Sequence, residues 1–105
     1  MKRTTTLIAA GLMLTVAAPV FADEAAANKA GCMACHAKDK KLVGPSFKDI
    51  AVKYKGQGDA VAKLSEKVRK GGSGVWGPIP MPPNAESKIN DADMKSVVEW
   101  ILKSA

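Results

Sequence analysis

The pentapeptide Cys32-Met33-Ala34-Cys35-His36 most constrains this chain, because it presents two thiols and an imidazole in the C-x-x-C-H spacing. This spacing is the signature of covalent c-type haem attachment. The two intervening residues let both sulfurs reach the vinyl groups on one edge of a porphyrin, and His36 then lies beneath the ring to ligate the iron. The motif therefore predicts a chain that folds around one covalently attached haem c.

Two other uses of a C-x-x-C sequence are the alternatives. A closed zinc site needs about four ligands, whereas the only plausible ones here are Cys32, Cys35 and His36. A dithiol oxidoreductase has no need for the histidine that follows, and the surrounding sequence lacks the strand and helix alternation of a thioredoxin-like fold. A zinc or disulfide module would show no haem absorbance.

The first 22 residues have the pattern of a cleaved secretory signal peptide. Lys2 and Arg3 form a basic start, residues 7–18 are an apolar run, and Ala22 is the small residue expected before a cleavage site. The apolar run is shorter than the ~20 residues that span a bilayer, so a stable membrane anchor is not expected. Cleavage after Ala22 would leave residues 23–105 as one domain in the periplasm, where c-type haem is attached and both cysteines are consumed.

The size and charge of residues 23–105 narrow the possible partners. A domain this small is near the limit at which an apolar core alone suffices, so haem would add stability. The whole chain has a net charge of +6, and without Lys2 and Arg3 it has 14 basic and 10 acidic residues, a net charge of +4. Nucleic acid is not an expected partner, because neither a nucleic-acid motif nor a Gly-rich phosphate loop is evident. Lysines soon after the haem motif could instead steer acidic protein partners. They are Lys38, Lys40, Lys41, Lys48, Lys53 and Lys55.

Every periodic segment after residue 22 predicts a helix, so we expect an all-α fold of about four helices around the haem. Asp23 can cap a first helix over residues 24–30. A second helix is predicted over residues 47–54, where apolar residues recur at spacings of three and four. Gly56 and Gly58 then end it.

The third and fourth helices are predicted from their caps and apolar stripes. Asp59 starts the third, which ends at Gly71-Gly72, and its lysines at 63, 67 and 70 are expected to face outward. Asn90 is a plausible cap for the last helix. The apolar stripe of that helix consists of Met94, Val97, Val98, Ile101 and Leu102, with Trp100 as a further anchor.

Residues 74–84 link these two helices and contain prolines that exclude a continuous helix. A rigid linker with a packing methionine is the plainer interpretation. However, His36 is the only histidine, so a second axial ligand has to be another residue type, and Met is an established choice. Met33 lies inside the attachment motif and Met94 belongs to the last helix, so Met81 remains by elimination. Met81 lies 45 positions after His36, enough chain to cross the ring edge.

Together these motifs resemble the cytochrome c-551 family of small bacterial class I cytochromes c. The resemblance spans essentially residues 23–105 and covers the haem motif, two further segments and the terminal helix. These parts are Cys32-Met33-Ala34-Cys35-His36, Val43-Gly44-Pro45, Val75-Trp76-Gly77-Pro78-Ile79-Pro80-Met81-Pro82-Pro83-Asn84 and Glu99-Trp100-Ile101-Leu102.

The resemblance implies a ligand set for the haem. Cys32 and Cys35 form the thioethers, and His36 and Met81 are the axial ligands of the iron. The Pro45 carbonyl accepts a hydrogen bond from the imidazole, a kind of contact that orients metal ligands.

The resemblance also implies three contacts that surround these ligands. Trp76 hydrogen-bonds a haem propionate, and Asn84 lies near the methionine sulfur. Lys67 lies where the family often places an arginine near a propionate, although lysine lacks the planar fork of arginine.

The implied function is that of a soluble, monomeric electron carrier in the periplasm, and not that of an enzyme. Its donor would be a bc-type complex, and its acceptor a respiratory reductase such as the nitrite reductase of denitrifiers, an oxidase or a peroxidase. Partners are expected to dock at the haem edge on an uncharged patch of Ala34, Val43, Ile79 and Pro80. The rival interpretation is a sensor or enzyme whose iron is open, or weakly closed by Met81, to peroxide, nitric oxide or carbon monoxide.

Overall fold

The structure is a computed structural model that describes residues 10–11 and 22–105. It contains four α-helices and a short 3₁₀ helix over Cys32–Ala34, which the sequence did not predict. The α-helices are α1 (Ala22–Lys29), α2 (Phe47–Tyr54), α3 (Ala60–Lys70) and α4 (Asp91–Leu102). The described residues form no strand, only an antiparallel bridge between Gly72 and Met81. The all-α prediction is confirmed.

The leader predicted over residues 1–22 lies outside the described residues, apart from residues 10, 11 and 22. No helix in the described part of the chain is both long and apolar enough to cross a membrane.

Helix α4 is the centre of the fold, and α1, α2 and α3 all pack against it. Its buried residues recur at spacings of three and four, as expected for a helix with one apolar face. They are Met94, Val97, Val98 and Ile101. The other helices contribute Ala27 from α1, Phe47 and Ile50 from α2, and Leu64 from α3 to the same core. The core therefore joins every helix to the last one.

Two of the helices begin with a side-chain cap. Asn90 accepts a hydrogen bond from the amide of Asp93 at 2.8 Å, which confirms the cap predicted for α4. Ser46 caps α2 in the same way by accepting from the amide of Asp49 at 3.0 Å. Each such cap contributes about 1 kcal/mol to stability.

The cap predicted for α1 was wrong, whereas Asp59 stands at the start of α3 as predicted. Helix α1 already begins at Ala22, so Asp23 lies in its first turn. Asp59 precedes α3, but its side chain does not bond the first turn. It lies 3.4 Å from Lys63 in an exposed ion pair instead. A carboxylate near a helix start still interacts favourably with the helix dipole.

Candidate functional site

A cavity of about 460 Å³ lies between the haem motif, α3, α4 and residues 74–84, the proline-rich segment. Its volume is within the range of ~300–1,000 Å³ typical of cofactor sites. The wall includes Cys32, Cys35, His36 and Met81, the four residues expected to attach and ligate haem. Residues far apart in the sequence thus converge on one space lined mainly by apolar side chains.

The attachment motif forms a tight turn. The amides of Cys35 and His36 both donate to the carbonyl of Cys32, at 3.2 and 3.0 Å. Gly31, which precedes the turn, has a φ of 83°, a value that glycine adopts without a Cβ penalty. This turn brings both cysteines and His36 into the cavity wall.

Both cysteines are free and partly buried. Burial raises the pKa of the Cys32 thiol, and the opposing effect of the Lys88 charge is smaller. A redox-active cysteine needs a lowered pKa, because the thiolate is the nucleophile. The environment of Cys32 therefore argues against a dithiol oxidoreductase.

Among the described residues, no group of three or more His, Cys, Asp or Glu side chains is arranged to hold a metal ion.

The imidazole of His36 is fixed by three neighbours. Its Nδ1 lies 2.7 Å from the carbonyl oxygen of Pro45. Because a carbonyl only accepts, Nδ1 is the donor, and in the neutral imidazole Nε2 then has the lone pair that can ligate a metal. The ring of Phe47 stacks on the imidazole, with centroids 5.4 Å apart and planes 20° apart. A Cβ on Gly44 would lie 2.5 Å from Cε1 of the imidazole, so only glycine fits there.

The main chain of Met81 is bonded to the loop that follows α3. Met81 and Gly72 exchange two backbone hydrogen bonds, each 2.9 Å long. Gly71 brings the end of α3 close to this segment, since a Cβ on it would collide with the Met81 carbonyl oxygen. The prolines around Met81 restrict the backbone further. Met81 is thus presented to the cavity by a stiff segment anchored to α3.

The other two methionines considered from the sequence occupy different environments. Met94 also lines the cavity, but it is only 3% exposed and lies within α4. Met33 packs against the core and is not part of the cavity wall. Two methionines therefore border the cavity, and ligation of the iron by Met81 stays a prediction.

Asn84, the last residue of the proline-rich segment, is buried and is not part of the cavity wall. Its side-chain amide donates to the carbonyls of Val68 at 3.0 Å and Pro82 at 3.2 Å. Both amide hydrogens are thereby used, and the contact with the methionine sulfur stays a prediction. In this arrangement Asn84 ties the segment to α3.

Arg69 bonds three distant groups, a role that was not predicted from the sequence. Its guanidinium donates to the carbonyls of Asn84 and Ile89 and to the carboxylate of Asp91. The sequence offered one signal, because Arg69 is the only arginine after residue 22. Arginine is favoured over lysine where several acceptors have to be bonded by one planar group.

Two lysine side chains contact or form part of the cavity wall. The amino group of Lys53 lies 5.3 Å from the centre of the Trp76 ring, a cation–π contact. The expectation that Lys67 faces outward was wrong, because it is partly buried and lines the cavity. Lys67 follows Leu64 by three positions and so shares its side of the helix. The contacts of Trp76 and Lys67 with propionates stay predictions.

Several large apolar side chains of the cavity region are exposed. They are Val43, Val75, Trp76 and Ile79. The predicted docking patch of Ala34, Val43, Ile79 and Pro80 is exposed at all four positions. Lys41 lines the cavity and is exposed, whereas Lys38 is bonded to Glu24 at 2.9 Å and lies 5.8 Å from the Trp100 ring centre. Lys41 is therefore better placed than Lys38 to attract a partner.

Known proteins resemble this chain in sequence and in structure. The sequence profile of the Cytochrome c family matches residues 23–105. Cytochrome c-551 of Pseudomonas aeruginosa is 44% identical over 96 residues, which cover 91% of this chain and 89% of that protein. Cytochrome c-552 of Hydrogenobacter thermophilus is 51% identical over 82 residues, 78% of this chain and 81% of that one. The crystal structure of wild-type Nitrosomonas europaea cytochrome c552 matches with a TM-score of 0.73 at 48% identity, over 78% of this chain and 99% of that chain.

Proposed function

We propose that this chain, which belongs to the cytochrome c-551 family of small cytochromes c, is a periplasmic one-electron carrier with His36 and Met81 as iron ligands. Proteins of this family carry one covalently bound haem c, and this chain is accordingly an electron-transfer haem protein. The observation that carries the proposal is the convergence of Cys32, Cys35, His36 and Met81 on one cavity.

The residues around the cavity fit a haem. The walls are mainly apolar and the two thiols lie three positions apart on a tight turn. Cys32 and Cys35 would form the thioether bonds. When bound, haem supplies an iron that alternates between the ferrous and ferric states and so exchanges one electron.

The protein's own contribution is to orient and enclose the ligands. Donation from Nδ1 of His36 to Pro45 leaves Nε2 free for the iron and makes it a stronger base. The bridge between Gly72 and Met81 holds the main chain of the second ligand. Ligation by both residues would leave no position on the iron for a substrate, so the chain acts as a carrier rather than an enzyme. A methionine ligand raises the reduction potential.

The location and partners of the carrier follow from the leader and from the family. We infer that residues 1–22 direct export and are removed, and that the mature monomer works in the periplasm. Its electron donor would be a bc-type complex. Its acceptor would be a reductase such as nitrite reductase, which would place it in denitrification, or an oxidase or peroxidase.

Docking would take place where the cavity reaches the surface, because electron transfer falls steeply with distance. The patch of Ala34, Val43, Ile79 and Pro80 offers an uncharged contact. Lys41 would attract an acidic partner over a longer range, an effect that salt screens.

Mass spectrometry of the exported protein tests the attachment and the leader together. Expression with haem-maturation machinery should give a red protein whose mass equals residues 23–105 plus one haem. An apoprotein with two free thiols under these conditions would refute the attachment, and a haem-bearing mass that includes residues 1–22 would refute only the cleavage.

Stopped-flow oxidation across an ionic-strength series tests the docking surface. Lys41→Glu should slow association with an acidic-faced acceptor at low salt and leave the haem spectrum unchanged. Lys95→Glu is the matched control, because Lys95 is exposed on α4 and lies outside the cavity wall. Equal association rates for the two variants would reject steering by Lys41. If both were slower than the wild type by the same factor, the loss would be an effect of net charge alone.

A further inference from the structure

We propose that Arg69 is a positioning residue that keeps Met81 at the iron by fixing the segment that follows it. This inference rests on the proposed ligation by Met81. Arg69 lies in the last turn of α3 and has no place in the cavity wall, so it would act only through the main chain between Met81 and α4.

The guanidinium of Arg69 joins both ends of one loop. Nη1 donates to the carbonyl of Asn84 at 3.1 Å and to the carbonyl of Ile89 at 2.7 Å. Nη2 donates to Oδ1 of Asp91, the first residue of α4, at 2.7 Å. A single planar group thereby sets the distance between the end of the proline-rich segment and the start of the central helix.

Asn84 connects this bonding to Met81. Its backbone amide donates to the carbonyls of Val68 and Arg69, each at 3.2 Å. The Arg69 guanidinium donates to the carbonyl of Asn84, so both the amide and the carbonyl of Asn84 are bonded to the end of α3. Only Pro82 and Pro83 separate it from Met81, and proline fixes φ. Because these two residues have little freedom, a displaced Asn84 would shift Met81 as well.

The hydrogen bonds from Arg69 to the two carbonyls hold this loop more strongly than the ion pair between Arg69 and Asp91 does. The side chain of Asp91 is 87% exposed and that of Arg69 27%, so solvent screens the attraction between their charges. Ile89, in contrast, is buried, and a charged donor makes a stronger bond than a neutral one. Lysine at position 69 would keep the charge and lose the fork that bonds two carbonyls at once.

Hydrogen exchange of the ferrous haem-loaded protein tests whether Arg69 holds the segment. In Arg69→Met the amides of Met81 and Asn84 should exchange about tenfold faster, because opening the segment no longer breaks bonds to a charged donor. Core amides of α1 and α4 should keep their rates. The control is Lys70→Met, which removes the same charge from the neighbouring exposed residue, bonded only to Glu66. Equal exchange at Met81 and Asn84 in the two variants would overturn the inference.

Cyanide binding to the ferric protein tests whether the effect reaches the iron. Cyanide has to displace Met81, so Arg69→Met should raise its affinity about tenfold, which corresponds to about 1.4 kcal/mol. Asp91→Asn should change the affinity little, because it keeps both bonds from Arg69 to carbonyls. Unchanged affinity in Arg69→Met would overturn the link to the ligand.

Two further outcomes separate this inference from the proposed function. If the wild-type ferric protein lacked the far-red charge-transfer band of iron–methionine ligation, the proposed ligand would be wrong and the link to the iron would fall with it. If the band were present and exchange at Met81 did not change, only the role of Arg69 would be wrong. Should Arg69→Met not fold, Arg69→Lys provides the same comparison, with a smaller increase in exchange expected.

Discussion

Replacement of Gly71 by alanine should damage the structure at the point where α3 meets the Met81 segment. Gly71 has a φ of 69° and a ψ of −153°, a combination that is essentially restricted to glycine. Holding alanine there costs about 1–3 kcal/mol of backbone strain.

The new methyl group would also collide with main-chain atoms. Its carbon would overlap the carbonyl oxygen of Met81 and would lie 2.8 Å from the carbonyl carbon of Pro82 and 2.9 Å from the nitrogen of Pro83. These atoms belong to a proline-restricted backbone and cannot rotate away as a flexible side chain could. Overpacking of this kind costs a further ~1–3 kcal/mol. We therefore expect Gly71→Ala to lower the free energy of unfolding by about 2–6 kcal/mol.

Gly56→Ala is the matched control for the strain. Gly56 has a φ of 79°, and a Cβ on it would meet nothing within 4 Å. Gly56→Ala should therefore lower the free energy of unfolding through backbone strain alone, by about 1–2 kcal/mol. Unfolding of both haem-loaded variants in guanidinium, monitored by circular dichroism, measures the difference between their free energies of unfolding. The far-red band should weaken in Gly71→Ala alone, and equal stability of the two variants together with an intact band would refute the reasoning.

Three further changes test the environment of the haem. Gly44→Ala places a Cβ 2.5 Å from the His36 ring and should alter the ferric electron paramagnetic resonance signal, whereas Gly58→Ala, with open space around it, should not. Phe47→Leu removes the ring stacked on His36 and should lower the free energy of unfolding by about 1–2 kcal/mol in denaturant titrations; no loss would contradict the packing. Trp76→Phe removes an N–H that the family resemblance directs at a propionate, so the potential measured by voltammetry should fall, by less than the roughly 20–60 mV that a hydrogen bond made in one oxidation state alone would contribute. An unchanged potential would reject that contact.

The helices could be predicted from the sequence because their signals are local. The range of α2 and the Asn90 cap of α4 agree with the prediction, since apolar spacing and capping depend on neighbouring residues. The cap of α2 was missed, although Ser46 followed three residues later by Asp49 is a recognisable signal. The bounds of α1 differed by two residues at its start and one at its end, which is the ordinary variation of helix termini.

The contacts that join distant segments could not be predicted in the same way. Helical spacing places Lys67 on the same side of α3 as Leu64, but that this side faces a cavity depends on the segment that packs beside α3. Likewise, the close approach of Gly71 to Met81 and the bonds of Arg69 to Asn84 and Ile89 depend on the tertiary fold. The haem motif, in contrast, could be identified because its residues are adjacent in the chain.

The ferric absorption spectrum of the haem-loaded protein, compared with those of two methionine variants, tests the central claim most directly. Met81 and Met94 both line the cavity, so Met81→Ala and Met94→Leu separate a ligand from a packing residue. We expect the far-red charge-transfer band in the wild type and in Met94→Leu. In Met81→Ala the band should be absent, the reduction potential lower and the ferrous protein open to carbon monoxide. A band that survives in Met81→Ala, or a high-spin spectrum in the wild type, would contradict ligation by His36 and Met81.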